Sequence, residues 1–175
     1  MEKKWSILTT LKGTFLNGKF GKCYILNGEL IIMGVRLSNF EAGIYKFNGS
    51  WAYVTTFYIS DYNWQTLSSY KFKNKIYFGG LIDSVSNTTN PGIIEFDGSN
   101  INPTGLQPNW LSVFADNRDT LFVAIMNKVY FYNGKNWVFY QSFLASSQIT
   151  GFEFLNGEMY VSDSFTRINK YKIKN

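Results

Sequence analysis

Along this chain, apolar side chains recur at every second position in short runs that stop at Asn, Asp and Gly. Tyr24-Ile-Leu-Asn-Gly-Glu-Leu-Ile-Ile-Met-Gly34 shows the pattern well: two apolar runs flank Asn-Gly. Asn-Gly supplies the two positive-φ residues of a type I′ turn, so the run predicts a two-stranded hairpin. The pattern returns as Tyr70-Lys-Phe-Lys-Asn-Lys-Ile-Tyr-Phe-Gly-Gly80, as Val113-Phe-Ala-Asp-Asn-Arg-Asp-Thr-Leu-Phe-Val-Ala124 and as Phe152-Glu-Phe-Leu-Asn-Gly-Glu-Met-Tyr-Val161.

A second pattern alternates with the first. It reads Gly43-Ile-Tyr-Lys-Phe-Asn-Gly-Ser-Trp51, then Gly92-Ile-Ile-Glu-Phe-Asp-Gly-Ser-Asn100, then Lys128-Val-Tyr-Phe-Tyr-Asn-Gly-Lys-Asn-Trp137, and decays to Arg167-Ile-Asn-Lys-Tyr-Lys172. Each copy predicts a strand, a tight turn and a further strand led by Trp. Aligned on Leu30, Ile76, Leu121 and Met159, the units are spaced 46, 45 and 38 residues apart. A period of this length marks a repeat architecture in which each unit is one supersecondary element.

The final unit holds three predicted strands and lacks the fourth. A matching phrase stands near the other end of the chain. Trp5-Ser-Ile-Leu-Thr-Thr-Leu11 repeats as Trp51-Ala-Tyr-Val-Thr-Thr-Phe57 and, loosely, as Trp137-Val-Phe-Tyr-Gln-Ser-Phe143. The expected fold is therefore all-β: one domain over residues 1–175, a four-bladed β-propeller of four-stranded antiparallel blades. Its repeats fall at about 20–57, 64–105, 110–143 and 149–175, and residues 4–11 complete the last blade. The alternatives are a propeller closed by strand exchange between two chains, and a β-sandwich. A sandwich accounts for short strands and turns but not for the repeat.

The run Asn-Gly-x-(Leu/Met)-Tyr-(Val/Phe)-Gly-Gly followed by Gly-Ile-Tyr-x-Phe-(Asn/Asp)-Gly-x-x-Trp resembles kelch-type propeller repeats. The double glycine survives only at Gly79-Gly80, and Asn100 replaces the Trp of the second unit. The resemblance implies a propeller that binds proteins or glycans more often than one that catalyses.

Composition narrows the function. Aromatic residues are 19% and charged residues 17% of the chain, which suits a packed β domain and argues against disorder. Histidine is absent, which removes Ser-His-Asp and Cys-His catalysis and His-ligated zinc. The net charge of +5 comes mostly from scattered lysines, so nucleic acid is not an expected partner. Lys71, Lys73 and Lys75, and likewise Lys170, Lys172 and Lys174, have the period of one strand face and read as solvated edge residues. Cys23, the single cysteine, reads as a small buried hydrophobe. With no apolar run of membrane-spanning length and no cleavable signal pattern, the expectation is a cytoplasmic or virion-associated protein without membrane insertion.

Candidate chemistry is sparse. Glu153 is the clear carboxylate on a predicted channel-lining strand, with Asp116 placed at a hairpin turn, so the paired acids of a glycosidase are not evident. Neither a cofactor nor a metal is expected. Two connections carry Asn-Trp just before a channel-lining strand: Tyr58-Ile-Ser-Asp-Tyr-Asn-Trp64 and Gln107-Pro-Asn-Trp110. Trp64, Trp110, Tyr62, Asp61, Tyr58 and Asn109 form a plausible sugar platform, in which rings stack on CH faces and polar groups hold hydroxyls. The segment Asp83-Ser-Val-Ser-Asn-Thr-Thr-Asn-Pro91 reads as a long exposed loop. The leading functional expectation is a non-enzymatic scaffold for protein contact or self-assembly, of the kind a viral or phage structural protein provides. A glycan-binding lectin is second and a glycosidase-like enzyme third.

Overall fold

A computed structural model of the chain describes residues 19–36, 41–59, 67–107, 112–143, 148–164 and 167–172, and these form strands and turns with no helix among them. The first sheet is a meander of β1 (Lys19–Leu26), β2 (Glu29–Arg36), β3 (Glu41–Phe47) and β4 (Trp51–Ile59), each antiparallel to the next. The second begins with β5 (Ser68–Phe72) and β6 (Lys75–Gly79), then sends out a hairpin of β7 (Ile82–Val85) and β8 (Thr88–Thr89). It resumes with β9 (Ile94–Phe96) and β10 (Ile101–Pro103), in the order β10-β9-β6-β5. A third meander comprises β11 (Ser112–Asn117), β12 (Thr120–Ile125), β13 (Lys128–Tyr132) and β14 (Trp137–Ser142). The fourth sheet has three strands, β15 (Ile149–Leu155), β16 (Glu158–Asp163) and β17 (Ile168–Lys172).

The turns form as the sequence requires. Asn27-Gly28 and Asn156-Gly157 all have positive φ, between 52° and 81°, which Asn and Gly tolerate best. Where the third strand turns into the fourth, a side-chain oxygen ties the corner. Asp97 Oδ1 accepts from the amides of Ser99 (2.9 Å) and Asn100 (2.8 Å). Asn133 Oδ1 does the same for Lys135 (3.0 Å) and Asn136 (2.8 Å).

Period-two alternation gives each sheet two faces, and successive sheets pack face to face. Ile31, Met33, Ile44 and Phe57 of the first sheet meet Ile76, Phe78, Ile94 and Phe96 of the second. Tyr77 points the other way, toward Phe114, Leu121 and Val123 of the third sheet. Phe122, Ala124 and Val129 then face Phe152, Met159 and Val161 of the fourth. Four sheets in series differ from the two packed layers of a sandwich. The expected closing strand, Trp5–Leu11, lies outside the described residues.

Three local expectations are corrected. Most of the segment expected to be a free loop, from Asp83 to Thr89, lies in the hairpin β7–β8, and β7 pairs with β4 through Phe57–Val85, Tyr58–Ser84 and Ile59–Ile82. The first sheet therefore has six strands, because Ile82 and Val85 are buried while the residues between them face outward. Cys23 is exposed, not buried, since the phase of β1 sends Tyr24 and Leu26 inward. Lys71, Lys73 and Lys75 do not share a strand face: Lys73 sits in the turn between β5 and β6, and Lys75 pairs with Glu95 at 2.6 Å.

Gly79 marks a close approach between the second and third sheets. A Cβ there would overlap Ser112 Oγ, itself bonded to Ser68 Oγ at 2.7 Å, and lie 3.0 Å from the Phe114 ring. Gly79→Ala is therefore expected to cost roughly 1–3 kcal/mol through overpacking, measured by urea unfolding. An unchanged midpoint would show that the two sheets separate easily at this point.

Candidate functional site

The first strands of the first three sheets meet through polar side chains. Tyr24 of β1 donates to Ser69 Oγ of β5 at 2.9 Å. Ser68 of β5 meets Ser112 of β11, and Tyr70 donates to Asp116 Oδ1 at 2.6 Å. Burial holds the Tyr70 phenol well above its ordinary range, and Asp116 and Glu153 push it the same way. Glu153 lies on β15, so its field reaches from the fourth sheet to the second. Asp116 is thus not a free turn residue: it lies in β11 and is committed to Tyr70.

A second polar group sits where the second and third sheets part, at the turn end of their strands. Glu95 is only 7% exposed, and its Oε1 holds Lys75 Nζ at 2.6 Å. Its Oε2 is buried without a hydrogen-bond partner among the described residues. Burial, followed by the charge of Glu95, raises the phenol of Tyr77, and the same two causes raise that of Tyr132. Above this group opens a cleft of about 520 Å³, with Phe72, Tyr77, Phe131 and Tyr132 among its walls. Lys73, which bridges to Asp119 at 3.6 Å, and Asn133 stand at its rim.

The Lys75–Glu95 pair has counterparts. Glu29 pairs with Lys46 at 3.3 Å in the first sheet, and Glu158 with Lys170 at 3.3 Å in the fourth. All three link the residue that opens the second strand to the diagonal position on the third strand, as the registers show. The polarity is reversed in the second sheet alone. The third sheet has Thr120 and Phe131 in these places.

Of the residues expected to form a sugar platform, Tyr58 is described. It stands exposed on β4, between Glu41 and Ser84. Asp61, Tyr62, Trp64, Asn109 and Trp110 lie outside the described residues. The connection that holds Asp61, Tyr62 and Trp64 joins strand ends opposite to the turns that border the cleft. Asp163 is buried and held by Arg167 at 2.8 Å. No cluster of three or more His, Cys, Asp or Glu side chains suited to a metal occurs among the described residues. No helix among them is long and apolar enough to cross a membrane.

The cleft escaped sequence reasoning, although one signal pointed to it. In the aligned repeat, Lys75 stands where Glu29 and Glu158 stand, and Glu95 where Lys46 and Lys170 stand. A double reversal of charge that preserves the pair is a sign of contact. No protein-family model and no curated protein matches the chain.

The reversal supplies a test. Lys75→Glu sets a second carboxylate beside buried Glu95 and is expected to cost about 3 kcal/mol. Adding Glu95→Lys restores the polarity of the first and fourth sheets and is expected to recover more than half of that loss. Denaturant midpoints of wild type, both single variants and the double variant form the thermodynamic cycle. A double variant no better than the sum of the singles would deny the pair any coupling.

Proposed function

We propose that the chain is a four-bladed β-propeller acting as a non-enzymatic scaffold that associates through an open sheet edge. The ring reading is supported by four successive antiparallel sheets and by contacts between their first strands, Tyr24 with Ser69 and Tyr70 with Asp116, with Glu153 acting on Tyr70. It is completed by residues 5–11 joining β17. Trp51 lies opposite Phe47 and Trp137 opposite Tyr132, with ring centroids 5.1 and 5.0 Å apart. By the same register Trp5 stands opposite Tyr171.

One buried donor supports that register. The Trp137 indole donates to Thr104 Oγ1 of the preceding sheet at 2.9 Å. Thr104 bonds back to Ile93, three residues before the aromatic Phe96. Trp51 is the equivalent of Trp137, yet its buried indole N–H has no partner among the described residues. The position equivalent to Ile93 is Ile44 in the first sheet, opposite Thr55, and Val129 in the third, opposite Gln141. Thr55 and Gln141 each lie four residues after their Trp. In the fourth sheet the corresponding place falls to Thr9, four residues after Trp5, which offers the missing acceptor for Trp51.

The observation that carries the functional reading is β14. The other outer strands are short or covered: β8 is two residues long, β10 is three and ends in Pro103, and β17 is covered by residues 5–11 in the proposed ring. By contrast, β14 runs for six residues, Trp-Val-Phe-Tyr-Gln-Ser, with no charge, and leaves Val138 37% and Phe139 53% exposed. A neutral strand can pair antiparallel with its own copy without opposing like charges, which fits a two-fold contact between two chains.

Three experiments follow. With Cys23→Ser as background, Ser6→Cys and Lys170→Cys are expected to oxidise to a disulfide within one chain. A disulfide between chains would mean exchanged strands, and none would refute the register. Deleting residues 1–11 is expected to lower Tm by at least about 10 °C. For the edge, light scattering is expected to show a dimer that Val138→Lys with Phe139→Lys converts to a folded monomer. A wild-type monomer at every concentration would remove this scaffold reading.

A further inference from the structure

We propose that the cleft between the second and third sheets binds a neutral sugar residue of a glycan. The inference is independent of β14 and of ring closure, since every residue it uses is described.

The cleft is a departure from the repeat. Where the first sheet meets the second, the corresponding turns touch: Asn27 Nδ2 reaches the Asp97 carbonyl at 3.4 Å, and Gly98 packs beneath Asn27 and Leu26. At the next interface the turn at Lys73-Asn74 and the turn at Asn133-Gly134 instead border an open space of about 520 Å³. That volume falls in the range of small-ligand sites, roughly 300–1,000 Å³. The larger side chains of the second sheet explain the separation. Phe72 and Tyr77 stand where the first sheet has Leu26 and Ile31.

Charge selects the ligand class. Each ammonium in the cleft already has a carboxylate, Lys75 with Glu95 and Lys73 with Asp119. Phosphate or a carboxylate ligand would have to displace these partners. A cationic ligand would have to sit beside two ammonium groups. A neutral ligand meets no such cost. Glu95 is too buried to touch it and acts by fixing Lys75, whose ammonium keeps further N–H donors to offer.

The remaining polar groups both give and accept. The Asn133 carbonyl is spent on its own turn, which leaves its NH₂ as donor, and Asp119 provides acceptors at the rim. Sugar hydroxyls satisfy both kinds at once. The aromatic walls suit the CH face of a pyranose ring, and Tyr132 is braced by Trp137 at 5.0 Å. No reacting acid pair is present in the cleft among the described residues, so the proposed event is binding and not hydrolysis.

The test uses the full chain on a glycan array, with titration of the best neutral ligand followed by tryptophan fluorescence, and inorganic phosphate as contrast. The rim variant Lys73→Ala with Asp119→Ala alters two exposed side chains and is expected to melt as wild type does. It is expected to lose at least about tenfold in affinity, the effect of deleting one or two charge-assisted hydrogen bonds. A Trp64→Ala, Trp110→Ala variant is expected to keep the binding. A blank array would overturn the proposal, as would undiminished binding by the rim variant. Competition by phosphate would assign the ammonium groups to an anion and overturn it too. Loss of binding only in the Trp64, Trp110 variant would move the site to the opposite end of the strands.

Discussion

The second and third sheets of this protein are apolar on both faces, and that constraint organises everything else. On β12 the odd positions Leu121, Val123 and Ile125 serve one core, while Phe122 and Ala124 serve another. A strand apolar on both sides cannot lie on a surface, so such a sheet needs a neighbour in front and one behind. The second and third sheets have both. The first carries Tyr45, packed on Tyr53, and Phe47, packed on Trp51, on the face turned from the second sheet. The fourth leaves Leu155 and Ile168 largely exposed. A series of such sheets has unfinished faces at both ends, and a ring removes both with one contact. The buried indole N–H of Trp51, without a partner among the described residues, lies on that face of the first sheet, where the proposed ring would close.

Between the cores, specificity rests on small polar devices that repeat with variation. Three cross-strand ion pairs occupy one position of the unit, two of them Glu-to-Lys and one Lys-to-Glu. At the partly solvated sites of the first and fourth sheets such pairs add little stability. In the second sheet the carboxylate is buried against the third, where an unpaired charge is expensive and a paired one restricts how the sheets can meet. A cleft with a fixed ammonium is thus a consequence of how this one interface was packed.

Much of the architecture was legible because its signals are local. Asn27-Gly28 and Asn156-Gly157 specify their turns through their own dihedral preferences, and the aligned apolar positions Leu30, Ile76, Leu121 and Met159 fall in register in the sheets. What stayed hidden depends on phase or on partners distant in sequence. Thr88-Thr89 looks like loop because its pairing with Ser84 and Val85 leaves both threonines in water. Cys23 reads as core until the phase of β1 is fixed by Leu26. Asp116 belongs with Tyr70 only because β5 and β11 lie side by side, a fact no single hairpin encodes. The cleft needed two registers and a comparison of interfaces, and its residues look like ordinary strand residues one at a time.

Repetition also separates structural from functional residues. Positions that keep their character through the units, such as the paired aromatics Phe47 with Trp51 and Tyr132 with Trp137, are accounted for by packing. Where one unit departs from the others, packing alone does not require the change. A cleft lies beside the reversed pair Lys75–Glu95 where the first interface is closed, and β14 keeps an apolar edge where β8 is short and β10 ends in proline. Both departures involve the third sheet, one on its face and one on its edge, and they use different residues. A fold built from near-copies can therefore assign ligand recognition and association to one unit while the others supply the stability that both need.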